Sequence, residues 1–296
     1  MFFFRTILLT TSFILFCSIV VLGQQRFKAL ILDGQSNHND WRQTSQLMKS
    51  YLEETGLFSV EVLTNPPSEG GALDSFKPDF SKYNVIISNY NGYAWPEKIK
   101  QNFEQFVNNG GGLVVVHAAN NAFPEWKEYN KMIGVGGWGG RNEKSGSLIH
   151  YDDAQEKPIS DNSPGLAGGN SAVHNFKVKI RNKKHPITQG LQAIWMHETD
   201  EIFHQLRGPA QNMEILATAF SDKKQKGSGK HEPVIMVVTY GSGRIFHTTL
   251  GHSIDSQKGV GFITILQRGA EWVASGKVTQ KVPANFPTEN KGSKRP

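Results

Sequence analysis

Thiol is almost missing from this sequence: one cysteine, Cys17, stands in 296 residues. That rules out a disulfide framework and any metal site built from several thiolates of one chain. Strong charge of either sign is missing too, since 32 Lys and Arg against 26 Asp and Glu leave a net +6. No dense basic block or interleaved aromatic platform precedes the short tail Lys291, Lys294 and Arg295, so no nucleic-acid partner is expected. A composition of 38% hydrophobic and 20% charged residues excludes a disordered chain, a collagen-like repeat and a multi-span membrane protein. Its length suits one large domain. The 13 prolines are unremarkable in number, but the 30 glycines exceed the average share and mark tight turns and close backbone approaches.

The chain opens with one charge, Arg5, followed by the apolar run Ile7 to Leu22 and the close Val21-Leu22-Gly23. This layout predicts a secretory signal peptide over 1–23, cleaved after Gly23, with an uncleaved anchor as the alternative. Bulky Phe16 before Cys17 and the apolar residues after it argue against a lipoprotein. The mature protein then begins at Gln24 without cysteine, carries +5, and is periplasmic or secreted with no stable membrane insertion.

Short β-branched runs then alternate with helix-length amphipathic segments, the order of an α/β fold with a doubly wound parallel sheet and helices on both faces. Strands are predicted at Phe27 to Leu32, Ser59 to Leu63, Asn84 to Asn89 and Leu113 to His117. Helices are predicted at Trp41 to Thr55 and from Pro96 to the Gly110-Gly111-Gly112 stop. Ala118 to Pro186 reads as a long elaborated loop region with two strands, one near His150 and one over Phe176 to Ile180. Strands return at Glu214 to Thr218, Pro233 to Tyr240 and Arg244 to Thr249, the last two forming a hairpin. A helix over Gly259 to Ala274 closes the domain, 24–276, and 277–296 is a polar tail.

In such a sheet the ligand crevice lies beyond the carboxyl ends of the strands. Asp33, Asn89, His117 and His252 fall on such ends. His117 stands where related α/β enzymes place a nucleophile, yet no Ser or Cys occupies the position and no G-x-S-x-G is present. It reads as a base, an acid, a metal ligand, or a polar strand-end residue bonded to a loop carbonyl. His38 lies in the loop before the first helix, where Asp40 or Asn39 is expected to cap. His197 to His204 packs two histidines and three carboxylates into eight residues. It is not H-E-x-x-H, and on a regular strand His197, Thr199 and Glu201 would share a face. Histidine and carboxylate ligands without thiolate suit Zn, Mn, Ni or Fe(II), with a solvated charged segment as the alternative. Trp41, Trp126, Trp138 and Trp195 flank these positions, as sugar-stacking faces or as core.

Six motifs in order carry a resemblance: Asp33-Gly-Gln-Ser-Asn-His-Asn-Asp-Trp41, Gly110-Gly-Gly-Leu-Val-Val-Val-His117, Gly134-Val-Gly-Gly-Trp-Gly-Gly-Arg141, His185-Pro-Ile-Thr188, Asp200-Glu201, and Gly241-Ser-Gly-Arg-Ile-Phe-His-Thr-Thr-Leu-Gly-His252. Together they resemble the ThuA-like family, named for trehalose utilisation, over about Phe27 to Trp272. The resemblance implies a flavodoxin-like fold similar to class I glutamine amidotransferases, with His117 at the amidotransferase cysteine position. It also implies sugar metabolism, with action on 3-keto-glycosides as lyase or hydrolase. A non-catalytic carbohydrate-binding protein of the same fold is the alternative, and amidotransferase-type hydrolysis is a weaker one. The expected site has His117, His38 and His252 as catalytic groups; Glu201, Asp200 and His197 as ligands of a divalent metal; and Trp41, Trp138, Arg141 and Asn89 around a small carbohydrate. No nucleotide cofactor is expected.

Overall fold

The computed structural model describes residues 25–67, 73 and 75–296, so the expected signal peptide and Cys17 lie outside the described residues. The first half runs β1 (Phe27–Asp33), α1 (Trp41–Glu53), β2 (Phe58–Thr64), β3 (Val85–Ser88), α2 (Glu97–Asn108), β4 (Gly112–Val116) and α3 (Lys127–Ile133). Then follow β5 (Ser147–Asp152), β6 (Lys157–Asp161), β7 (Gly169–Asn170), β8 (His174–Ile180), β9 (Ile194–Asp200), β10 (Phe203–His204) and β11 (Arg207–Gly208). The chain ends with β12 (Met213–Phe220), β13 (His231–Tyr240), β14 (Gly243–Thr248), α4 (Ile254–Gln257) and α5 (Val260–Ser275).

The main sheet has the order β2-β1-β3-β4-β14-β13-β12-β8-β9. Its first five strands are parallel, and the rest are added antiparallel, so the sheet is mixed rather than wholly parallel. The change of direction follows from the chain: Tyr240 pairs with Gly243 across the two-residue turn Gly241-Ser242, and a turn that short joins only antiparallel strands.

The near-continuous apolar strands follow from helices on both faces. On β1, Ala29 and Ile31 join the core under α1 and α5 with Met48, Leu52, Phe262 and Leu266, while Leu30 and Leu32 face Ile99, Phe103 and Val107 of α2 and Met132 and Ile133 of α3. The central strand β4 divides in the same way, Val114 and Val116 against Leu113 and Val115. Each such aliphatic contributes about 1.5–3 kcal/mol when fully buried, before entropy is counted. Helix α1 buries Trp41, Thr44, Ser45, Met48, Tyr51 and Leu52 at helical spacing.

The region expected to be mostly loop holds the two expected strands, β5 around His150 and β8 over Phe176 to Ile180, and adds α3, β6 and β7. Helix α3 has seven residues and β6 is largely exposed, so neither imposes a long periodic pattern. The polar tail lies against the domain. Phe286 is buried against Trp195 at 5.6 Å between rings, and the main chain of Thr288 and Ser293 accepts hydrogen bonds from Met196 and Val260. Among the described residues no helix is long and apolar enough to cross a membrane.

Candidate active site

Three histidines meet at the carboxyl ends of the parallel strands. His117 follows β4 with φ +46, a left-handed turn uncommon for a side-chain-bearing residue, and the turn aims its ring over the strand ends. Its Nδ1 lies 2.6 Å from the main-chain oxygen of Thr249. A carbonyl only accepts, so Nδ1 carries a proton and Nε2 is the nitrogen that faces the site.

His38 is carried by the β1–α1 loop, which leaves β1 through Gly34 at φ +136; a Cβ there would lie 2.4 Å from the Asn65 oxygen. Asp40 does not cap α1 through its side chain. Its Oδ2 instead accepts from the Ile254 amide at 2.9 Å, tying the His38 loop to the His252 loop. His252 follows β14 after Gly251. Ring centroids are 5.0 Å apart for His38 and His117, 4.6 Å for His38 and His252, and 5.3 Å for His117 and His252.

Glu201 completes the group. Opposite Asn175 the β9 strand carries an extra residue, a bulge at which Thr199 takes φ +56. Regular alternation stops there, and Glu201 turns into the cleft. Its Oε1 lies 3.1 Å from His252 Nδ1 and 3.5 Å from His117 Nε2, while Asn170 donates to its Oε2 at 2.7 Å. One ligand atom from each of His38, His117, Glu201 and His252 lies within 4.8 Å of all the others. A cavity of about 10 Å³ is lined by the three histidines together with Trp41 and Asn89. A cavity of about 910 Å³ at the opposite end of β3 and β4 has no histidine among its described lining residues.

The electrostatics follow from crowding. Burial, together with neighbouring His117 and His252, pushes His38 down to about 4. The hydrogen bond with Glu201 raises His252 against the effect of burial. Burial would raise Glu201, but the close approach of the His117 and His252 rings outweighs it and holds the carboxyl below its usual range.

The expected metal ligands Asp200 and His197 are not part of this group. His197 Nε2 lies 2.7 Å from Asp200 Oδ2, and both side chains are buried behind the cleft, because the bulge brings residues three apart side by side. His38, His117 and His252 stand with Glu201 in their place. Arg141, expected at the sugar, is buried and directs four of its five N–H groups to the carbonyls of Asn121, Ala122 and Gly137 and to Asn130 Oδ1. Trp138 packs edge-on against Phe203 at 4.8 Å, and Phe203 lies under His117 at 4.2 Å. Trp41 and Asn89 border the cavity, and Asn89 Nδ2 donates to Trp41 O, Thr44 Oγ1 and Ser45 Oγ. Trp126 and Trp195 are core residues. Asn170 and the Thr249 carbonyl carried no recognisable pattern: one is an amide in a polar loop and the other a main-chain atom.

The sequence profile of the ThuA family, described as trehalose utilisation, matches residues 28–273. The chain belongs to the ThuA family. A ThuA-like protein from Parabacteroides merdae ATCC 43184 is 43% identical, superposes with a TM-score of 0.87, and is matched over 92% of this chain and 98% of its own. A ThuA-like protein from Bacteroides uniformis ATCC 8492 is 21% identical with a TM-score of 0.56, over 86% and 93% of the two chains. No curated protein matches. In this ThuA-family chain the α/β sheet carries a histidine, His117, at the turn after the central strand β4. Four nitrogen and oxygen donors converging without thiolate form a set that could hold a divalent cation.

Proposed function

We propose that this ThuA-family protein is a divalent-metal-dependent enzyme that cleaves 3-keto-glycosides of the disaccharide type. The observation that carries the proposal is the convergence of His38, His117, Glu201 and His252 within 4.8 Å at the strand ends. Fit to a cation is supported by the donors themselves. His117 Nε2 is buried without a hydrogen-bond partner, its tautomer is set by Thr249, and His38 is held uncharged. A divalent ion bound there supplies Lewis-acid stabilisation of developing negative charge on oxygen. The sugar class comes from the family's link to trehalose utilisation. A ketone at C3 acidifies the C2 proton; its removal and departure of the glycosidic oxygen from C1 give an enone and a released alcohol, with no carboxylate nucleophile. The apolar run after Arg5 supports export of the protein.

A second reading needs no ion. The environments of His38 and His252 drive their proton affinities apart, the pattern of an acid–base pair, so that His38 would take the C2 proton and His252, whose proton affinity Glu201 raises, would protonate the leaving oxygen. The test is metal analysis of the purified protein, followed by release of aglycone from a 3-keto-glucoside with and without chelator. One divalent ion per chain and activity lost in chelator and in His117→Ala support the first reading. Activity that survives chelation favours the second, and sugar binding with no turnover under several divalent ions leaves a carbohydrate-binding protein.

A further inference from the structure

We infer that Asp200 is a positioning residue that fixes Glu201 and His252 relative to each other through their main chains. The inference rests on the reading that these two side chains are working members of the site. Asp200 is fully buried. Its Oδ1 accepts from the Glu201 amide at 2.8 Å and the His252 amide at 3.2 Å; its Oδ2 accepts from the Gly251 amide at 2.8 Å and His197 Nε2 at 2.7 Å. Both oxygens are therefore filled by donors, and neither is left for an ion or a substrate.

Those donors come from two segments fifty residues apart in sequence, one carrying Glu201 and the other His252. The segments touch through this carboxylate, and Glu201 Oε1 and His252 Nδ1 then stand 3.1 Å apart. The local backbone is shaped for the contact. Gly251 has φ +108, and a Cβ on it would lie 2.7 Å from the Phe262 ring, so only glycine brings this amide to Asp200 without displacing core. On the other side, the left-handed turn at Thr199 sets His197 and Asp200 side by side, and Asn175 Oδ1 holds that turn by accepting from the Thr199 amide at 2.9 Å. An amide in place of the carboxylate offers one accepting oxygen instead of two, so it keeps one pair of donors and leaves the other facing an NH2 group. Outer partners that orient metal ligands change affinity by about 10–100-fold when replaced.

The test compares wild type, Asp200→Asn and His197→Ala in two ways: crystal structures of the metal-free proteins, and titration with Co²⁺ followed by its visible spectrum. In Asp200→Asn the Glu201–His252 pair is expected to separate by about 1 Å or more. Co²⁺ affinity should fall about 10–100-fold with altered bands, and His197→Ala, which frees one side of the carboxylate, should show a smaller change in the same direction. An Asp200→Asn structure with Glu201 and His252 unmoved overturns the inference. If that variant does not fold, an unmoved pair and an unchanged Co²⁺ spectrum in His197→Ala overturn it. A wild type that binds no Co²⁺ sinks the metal reading alone, because the metal-free structures still decide the role of Asp200.

Discussion

His117 gives its Nδ1 proton to the Thr249 carbonyl at 2.6 Å, so the strand beside β4 decides which nitrogen of the ring faces the cleft. A site histidine is thus oriented by a main-chain atom that no side-chain substitution at Thr249 removes. Replacement of the ring itself is the informative change. His117→Asn should keep the fold, because asparagine tolerates the left-handed backbone at φ +46 better than most residues. Its short amide does not reproduce Nε2, so divalent-metal affinity should fall by about 2 kcal/mol or more, the loss of one charge-assisted contact. Calorimetric metal titration beside thermal unfolding checks both halves; unchanged affinity would remove His117 from the ligand set.

Glu232 yields a pH prediction away from the cleft. It is 1% exposed, one oxygen accepts from Ser228 Oγ at 2.6 Å, and the other has no partner. Burial pushes its carboxyl up to about 7 from an ordinary 4.5. Between those values the native state keeps a proton that the unfolded chain has lost. Stability should therefore fall as pH rises through that window, by up to about 3 kcal/mol at about 1.4 kcal/mol per unit. Glu232→Gln should lose this share of the pH dependence and be the more stable protein at pH 8. Urea unfolding at pH 4.5, 6 and 8 measures it, and parallel curves for the two proteins would refute it.

The strand ends were legible because alternating buried strands and amphipathic helices leave few topologies, and these set His38, His117 and His252 on one rim. Glu201 was legible as part of a dense cluster, but its separation from Asp200 and His197 was not. A bulge depends on what lies opposite, here Asn175 and a left-handed Thr199, and strand periodicity assumes its absence. Arg141 was misplaced for a related reason. A guanidinium in a glycine-rich loop suits a ligand or the carbonyls of its own loop, and only the folded chain shows that the carbonyls take it.

Gly251 is expected to be intolerant of even one methyl group. Its φ of +108 and the 2.7 Å approach of Phe262, which is fully buried, leave no cheap relaxation. Gly251→Ala should cost about 2–4 kcal/mol in urea unfolding, backbone strain and overpacking combined. The Gly110 position has φ +108 as well, but nothing closer than 3.9 Å to a built Cβ. Gly110→Ala therefore carries the strain alone, about 1–3 kcal/mol, and should be the milder of the two. Equal losses would show that packing at Phe262 is not the cause.

The polar tail reaches the site from behind. Lys294 Nζ donates to Thr199 Oγ1 at 2.7 Å and to Asp255 Oδ2 at 2.8 Å, which places a cation on the strained residue that precedes Asp200 and Glu201. Farther back, Thr279 and Gln280 donate to the Glu271 carboxylate, and Gln280 O accepts from Arg268 Nη1. Truncation after Gly276 uncovers the Trp195 contact of Phe286 and leaves Glu271, Arg268 and the Met196 amide without these partners. Burial of one aromatic at about 1.5–3 kcal/mol, with five lost hydrogen bonds of about 1 kcal/mol each, predicts a gross loss of about 6–8 kcal/mol, which the entropy regained by the freed segment reduces. Lys294→Ala, a half-exposed contact, should cost under about 1 kcal/mol in stability. Yet it should loosen the Thr199 turn and weaken divalent-metal binding several-fold. Hydrogen exchange at Thr199 to Ile202, measured with metal affinity in both variants, separates support of the fold from support of the site: unchanged exchange in Lys294→Ala would mean that Asn175 alone holds the turn.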